Sequence, residues 1–127
     1  MSEPDGTRFP CPCCGHVVFD EPPGSDEICP VCFWQDDIVQ LRWPNQAGGA
    51  NRPSLIEAQA MVVHLGAVEE RLVPFVRAPT PTEPLDDTWR PFDPDRDAIE
   101  EHIGGVEYGK TYAHDSTIYY YWRDRSS

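Results

Sequence analysis

The sequence predicts a small α+β protein in which a cysteine-rich N-terminal module precedes an amphipathic helix, a proline-rich strap, a short helix and a C-terminal β-hairpin. Three observations lead to this fold class. All five cysteines lie between Cys11 and Cys32, a capped stretch with helical apolar spacing begins at Ser54, and fourteen prolines and nine glycines interrupt the 127 residues. So much turn chemistry favours a compact, loop-rich chain with few regular elements.

The length allows one domain with a modest core, or a small module with an appendage. We expect residues 1–76 to form the cysteine-rich domain with its helix, and residues 77–127 to pack on it. No apolar run reaches the roughly 18 residues that a membrane helix needs, and the first ten residues lack the basic start and apolar stretch of a signal peptide. We therefore expect a cytoplasmic location and no membrane partner.

The cysteine module has the spacing of a metal site. Fourteen residues separate two Cys-x-x-Cys pairs, formed by Cys11, Cys14, Cys29 and Cys32. Two residues between cysteines let one tight turn aim both sulfurs at a point, and two such turns supply four thiolates to a tetrahedral zinc ion. We predict one structural zinc in a zinc ribbon with rubredoxin-like knuckles. Iron in the same site and metal-free buried thiols remain alternatives, whereas two disulfides fit a secreted protein.

Other residues of the module suggest its local structure. Gly15 follows the first cysteine pair and can adopt positive φ without strain. Phe33 occupies the same position after the second pair, so we expect either that the second turn is strained or that Phe33 covers the metal site. Val17 to Phe19 read as a strand that turns through residues 21–25 towards Ile28, which predicts a hairpin. Cys13 is predicted to be a packed spectator rather than a reactive thiol, because a reactive thiol needs an electropositive setting and this segment is acidic.

The clearest helix signal begins at Ser54. Its hydroxyl can cap the free backbone N–H groups while Glu57, three residues later, reaches back to complete a capping box. Apolar residues then follow one helical face as far as Leu72, which predicts an amphipathic helix over residues 54–72.

The remainder reads as a strap and two short elements. Six prolines between residues 74 and 94 exclude a helix or a central strand, and we expect Trp89 and Phe92 to anchor the strap. A short helix is predicted from Pro94 to Ile103, with Asp93 as its cap and Gly104 as its stop. Beyond it, residues 108–112 and 117–122 are aromatic and β-branched, and this composition predicts a terminal hairpin.

Charge bears on possible partners. The net charge of −12 disfavours nucleic acid, whose binding needs clustered Lys and Arg, and favours a basic protein surface. Acidic and aromatic residues are the candidates for partner binding: Trp34, Asp36, Asp37, Trp89, Tyr121 and Trp122. The alternatives for these residues are a solvated cap for the next element, in the case of the aspartates, and packing within the fold, in the case of the aromatics.

Five segments carry a family resemblance: CPCCG, EPPGS, EICPVCFWQDD, VQLR and GGANRPSLIEAQ. Across about residues 9–72 the chain resembles the bacterial cysteine-rich CPCC family. The resemblance implies a zinc-ribbon or rubredoxin-like site on the four paired cysteines. Some members lie beside polymorphic toxin genes, which implies an immunity role. Gln35 replaces the glutamate of the family's Trp-Glu-Asp-Asp motif, so the resemblance supports no role that needs a carboxylate at position 35.

These observations favour a non-enzymatic zinc-binding protein that acts as a protein-interaction module, with a basic toxin domain as one partner. The sequence has no motif for catalysis, and four cysteine ligands leave no open position on the metal. Two rival functions are a thiol redox or rubredoxin-like electron-transfer module, using Cys13 or iron, and a nucleic-acid-binding zinc ribbon.

Overall fold

The computed structural model describes residues 8–97 and 115–123, and these have a small α+β architecture, as predicted. The described elements, in chain order, are β1 (Phe9–Pro10), β2 (Val17–Phe19), α1 (Ile38–Arg42), α2 (Leu55–Leu65) and two 3₁₀ helices, Glu70–Phe75 and Ser116–Tyr119. None of the helices in these two ranges is long and apolar enough to span a bilayer.

The two strands flank the first cysteine pair. β1 pairs antiparallel with β2, with Phe9 opposite Phe19 and an irregularity at Pro10. The predicted hairpin, in which Val17 to Phe19 turns towards Ile28, is therefore wrong. Ile28 forms an isolated bridge with Gln35 across the second cysteine pair instead, because each Cys-x-x-Cys turn brings its own flanking residues together.

Helix α1 and the loop after it depend on polar contacts. The Asp37 carboxylate accepts the backbone N–H groups of Val39 and Gln40, which caps α1. The buried Gln40 side-chain nitrogen lies 2.9, 3.1 and 3.0 Å from the carbonyl oxygens of Gln46, Asn51 and Pro53, which share its two N–H donors. These bonds hold the glycine-rich loop against α1 and lead the chain into α2.

The N-terminus of α2 is confirmed, whereas its predicted C-terminus is wrong. The Glu57 N–H donates to the Ser54 hydroxyl at 3.1 Å, and the Ser54 N–H donates to the Glu57 carboxylate at 2.9 Å, which completes the capping box. The helix ends at Leu65 rather than at residue 72. Gly66 adopts φ 81° and its N–H donates to the Val62 carbonyl, a left-handed stop that only glycine takes without strain.

The chain beyond Gly66 turns back into the core. Ala67 and Val68 are buried, and the Val68 N–H donates to the Cys32 carbonyl at 3.0 Å. Leu72 is also buried, but in the 3₁₀ helix Glu70–Phe75. The apolar spacing through residue 72 thus reflects burial on two successive elements rather than one helical face.

The predicted strap over residues 74–94 is wrong at its start, because Pro74 lies in the 3₁₀ helix Glu70–Phe75. The chain after that helix contains turns at residues 81–83 and 87–88 and lies along the first cysteine turn. The Val17 N–H donates to the Pro84 carbonyl and the Asp86 N–H donates to the Gly15 carbonyl, both at 2.8 Å. Trp89 and Phe92 anchor the segment: the Trp89 indole N–H donates to the Pro12 carbonyl at 2.9 Å, and Phe92 is buried.

The described parts of the last two predicted elements give different outcomes. Residues 94–96 form a turn that Asp93 caps, with its carboxylate accepting the Asp95 N–H at 2.9 Å. The rest of the predicted helix, with Gly104, lies outside the described residues, as does the predicted strand 108–112. The strand predicted at residues 117–122 is wrong, because Asp115 accepts the Thr117 N–H and caps the 3₁₀ helix Ser116–Tyr119.

The core draws on both halves of the chain. Tyr120 and Trp122 are buried in the same cluster as the cysteine module and helix α2. Their aromatic character therefore reflects packing against the module and not strand formation.

Candidate metal centre

Four cysteine sulfurs converge on one point. The Sγ atoms of Cys11, Cys14, Cys29 and Cys32 all lie within 4.8 Å of one another. Cys11 to Cys32 and Cys14 to Cys29 each span 3.7 Å. A metal–sulfur bond of about 2.3 Å requires sulfurs about 3.8 Å apart in a tetrahedron, whereas a disulfide bond measures about 2.05 Å. The sulfurs therefore fit a four-coordinate metal ion and are not joined in disulfides.

Two turns of the same design supply these sulfurs. In the first, Cys11 accepts the Gly15 N–H and donates its own N–H to the His16 carbonyl, at 2.7 and 2.8 Å. In the second, Cys29 accepts the Phe33 N–H and donates to the Trp34 carbonyl, both at 2.8 Å. We call these turns the first and second knuckles. Their matching bonds explain how two short, proline-containing segments hold four sulfurs in one place.

The two knuckles differ at their fifth residue. Gly15 has φ 83° and Phe33 has φ 73°, a region that a bulky side chain enters only with strain. The Phe33 ring packs against Phe75, with centroids 5.9 Å apart. At the first knuckle the Trp89 indole lies directly against Gly15, where a Cβ atom would be 2.5 Å from the ring. The strap thus covers one knuckle with a tryptophan.

Burial sets the electrostatics of the centre. The four cysteines are at most 9% exposed. Burial raises the pKa of the Cys11 and Cys32 thiols well above their usual value, whereas hydrogen bonds, from Cys11 first and then from Cys14 and Cys32, hold the pKa of Cys29 far below it. Four thiolate charges in a buried site require a cation to balance them.

Cys13 lies beside the site but is not among its four ligands. It is 1% exposed, and burial raises the pKa of its thiol. Both facts agree with a packed spectator and oppose a reactive thiolate, which needs exposure and a lowered pKa.

Trp34 and Asp36, two of the predicted partner-binding residues, are buried in the fold. Trp34 is 0% exposed and Asp36 is 1% exposed, so neither side chain reaches the surface. The Asp36 carboxylate accepts the N–H and hydroxyl of Ser25 at 3.2 and 2.7 Å, and burial raises its pKa to about 6. Asp37 caps α1 and also accepts the Ala50 N–H at 2.9 Å.

The predicted aromatic residues do not form one exposed patch either. Trp122 is buried, and Trp89 is half-buried against the first knuckle. The Tyr121 hydroxyl donates to the Arg90 carbonyl at 2.6 Å and accepts the Gln59 amide at 2.7 Å. Of the six predicted residues, Asp37, Trp89 and Tyr121 are thus partly exposed, and the other three are buried.

Two groups near the centre were not predicted from the sequence. The Val31 N–H donates to the Cys29 sulfur at 3.3 Å. Val31 is one of the two residues between Cys29 and Cys32, so the Cys-x-x-Cys spacing itself could have indicated this donor. The Arg77 N–H donates to the Pro30 carbonyl at 3.1 Å, and its guanidinium binds Glu83 through two bonds of 2.7 and 2.8 Å. No local pattern links Arg77 to the second knuckle.

Four buried cysteines on two matching knuckles define a cysteine-rich protein with a site built for a metal ion. The profile of the family described as "Cysteine-rich CPCC" matches residues 9–83, which is more than half of the chain. The chain belongs to this family. The match extends through the second knuckle and helix α2 into the strap, further than the resemblance in the sequence alone. No curated protein matches the chain.

Proposed function

We propose that this protein is a non-enzymatic zinc-binding protein in which one structural Zn²⁺ holds the fold and the surface binds a basic protein partner. A bacterial toxin domain that the protein neutralises is the partner we favour. The observation that carries the proposal is the convergence of four buried sulfurs at tetrahedral spacing. Four protein ligands close the shell of the ion, and a closed shell is typical of structural rather than catalytic zinc.

The metal supplies stability that the chain lacks. The two knuckles bring together two short strands, a bridge and several prolines, with little regular structure to stabilise them. Coordination by four thiolates contributes on the order of 10 kcal/mol, which is comparable to the whole stability of a small domain. Zinc binding and folding of residues 9–32 are therefore coupled in this proposal.

The partner follows from charge and from family. A net charge of −12 attracts a basic protein surface and speeds its association, and it repels nucleic acid. The immunity role rests on the resemblance to a family with members beside toxin genes. Thiol redox chemistry at Cys13 has no support from its burial, which leaves the sulfur shielded from solvent.

The metal is tested by elemental analysis of the purified full chain, with circular dichroism before and after chelation. We expect one zinc per chain and loss of folded structure when a chelator removes it. A coloured protein that carries iron would favour electron transfer, and a folded protein without any metal would contradict the proposal.

The proposed binding role is tested by a pulldown with the product of a neighbouring gene. We expect saturable binding at both low and moderate salt. The absence of any saturable protein partner, at low salt as well as at moderate salt, would contradict the binding role. The metal measurement would still stand in that case.

A further inference from the structure

An apolar groove lies beside the metal centre. Helix α2 forms one wall through Ile56, Ala60 and Val63, and the strap forms the other through Trp89, Pro91 and Phe92. The cavity has a volume of about 420 Å³, and Cys13 and Cys14 also line it. A groove of this size accepts two or three apolar side chains of a docked segment.

The walls are held in place without any occupant. The Gln59 amide donates to the Pro12 carbonyl at 3.0 Å, while its oxygen accepts the Phe92 N–H at 2.9 Å, so one buried side chain joins α2, the first knuckle and the strap. The Tyr121 ring packs edge-on against Phe92, with centroids 5.3 Å apart. A preformed groove binds a partner without losing conformational entropy in its own walls.

The upper edge of the groove is apolar and exposed. Val63 is 78% exposed, more than the other large hydrophobic side chains on the described surface. Ala60 and Pro91, which also line the groove, are exposed as well, and a cluster of exposed apolar residues in a groove is typical of a binding site.

The charges beside the groove are mainly negative. The described parts of α2 and of residues 89–97 carry four carboxylates and two guanidinium groups: Glu57, Asp93, Asp95 and Asp97 against Arg90 and Arg96. Arg90 is already neutralised by Asp97 through two bonds of 2.6 and 2.7 Å. Glu57 and Asp93 accept the backbone N–H groups of Ser54 and Asp95, and among the described residues neither is ion-paired with Lys or Arg. Their negative charges therefore remain on α2 and on the strap, the two elements that form the groove walls.

We propose that this groove docks a cationic amphipathic helix of the protein partner. Apolar side chains on one face of that helix would fill the groove, and its Lys and Arg residues would pair with the carboxylates on either side. Apolar burial supplies affinity in helix-in-groove recognition, while charge complementarity sets orientation and excludes acidic helices. The inference rests on the proposed function for the existence of a protein partner, and it adds the surface and the kind of segment.

The test uses the zinc-loaded full chain and a synthetic amphipathic Leu/Lys peptide of about 18 residues, long enough to form a helix. A Leu/Glu peptide with the same apolar face is the ligand control. Val63→Lys places a positive charge at the groove, and Val73→Lys places the same charge on an exposed valine that does not line it. The two variants have the same net charge, so they separate docking from non-specific attraction. Zinc content and circular dichroism check that both variants fold.

We expect the Leu/Lys peptide to bind with chemical-shift changes at Ile56, Ala60 and Val63, and the Leu/Glu peptide not to bind. Val63→Lys should weaken binding by about tenfold or more, because it replaces an apolar contact with a cation that faces the Lys residues of the peptide, and Val73→Lys by less than about threefold. Equal weakening by the two variants would overturn the proposal. So would shift changes outside the groove, contacts between the groove and residues 98–114 of the same chain, or a dimer that Val63→Lys dissociates.

An experiment with the natural partner distinguishes the groove proposal from the proposed binding function on which it rests. If a partner found by the neighbouring-gene experiment binds Val63→Lys as tightly as the wild-type protein, the groove assignment fails and the binding role stands. If that partner loses affinity for Val63→Lys but not for Val73→Lys, both are supported.

Discussion

Gly15 and Gly66 offer a matched test of how the strap covers the first knuckle. The two glycines have nearly the same backbone conformation, with φ 83° and 81°. Replacement by alanine in this left-handed region costs about 1 kcal/mol at either position. Their surroundings differ, because a Cβ at Gly15 would lie 2.5, 2.7 and 2.8 Å from three atoms of the Trp89 ring, whereas nothing lies within 4 Å of a Cβ at Gly66.

Gly15→Ala should therefore be much more destabilising than Gly66→Ala. A methyl group at Gly15 forces the Trp89 indole away, and such overpacking costs about 1–3 kcal/mol. Displacement of the ring also breaks its 2.9 Å hydrogen bond to the Pro12 carbonyl, worth about 1 kcal/mol. Together with the backbone cost, we expect a loss of roughly 3–5 kcal/mol for Gly15→Ala, against about 1 kcal/mol for Gly66→Ala.

Urea denaturation of both zinc-loaded variants, followed by circular dichroism at one fixed zinc concentration, measures this difference. Tryptophan fluorescence of the native state should change in Gly15→Ala and not in Gly66→Ala, since only the first displaces Trp89. Losses of stability within about 0.5 kcal/mol of each other would refute the argument, because that is the usual scatter of such comparisons. Trp89 would then not constrain the first knuckle.

Four further substitutions test other contacts. Ser54→Ala should lower stability by about 1 kcal/mol in thermal or urea unfolding, because it removes the cap of α2; an unchanged midpoint would contradict this. The Asp36 carboxyl, with its pKa raised from 3.8 to about 6, holds a proton more tightly in the native than in the unfolded state, so wild-type stability falls as pH rises through this range. Asp36→Asn cannot ionise, so its free energy of unfolding should rise by about 1 kcal/mol relative to that of the wild type between about pH 5.5 and about pH 8. A stability difference between the two proteins that does not change with pH would rule out the raised pKa. Cys14→Ser should lose tightly bound zinc while Cys13→Ser keeps one ion per chain in native mass spectrometry; equal metal content in the two would count against the assigned ligand set.

Local signals in the sequence located the parts of the fold that depend on neighbouring residues. The two Cys-x-x-Cys pairs, the Ser54 capping box and the Asp93 cap were all predicted, and each depends on atoms within a few residues of one another. The glycine at position 66 carried the same kind of signal. It marks the end of α2, but the prediction rested on the apolar spacing that continues to Leu72 and did not use this glycine.

Burial was the property that the sequence predicted least well. Trp34, Asp36 and Trp122 were assigned to a partner surface, because acidic and aromatic residues are common at interfaces. The same residue types also fill small cores, where aromatic rings supply much apolar area and a carboxylate survives if it accepts hydrogen bonds. Asp36 depends on Ser25, eleven residues away, for those bonds, and no local pattern reveals that contact.

The sequence by itself determined that four sulfurs could meet, because a two-residue spacing within each pair dictates a turn whatever the rest of the chain does. The tertiary structure decided which strand pairs with which, that the strap covers the first knuckle with Trp89, and that an apolar groove separates the strap from α2. These features join residues as close as Pro10 and Val17 and as distant as Pro12 and Trp89, which are 77 positions apart. Their formation depends on how whole segments pack against each other, which local residue patterns do not encode.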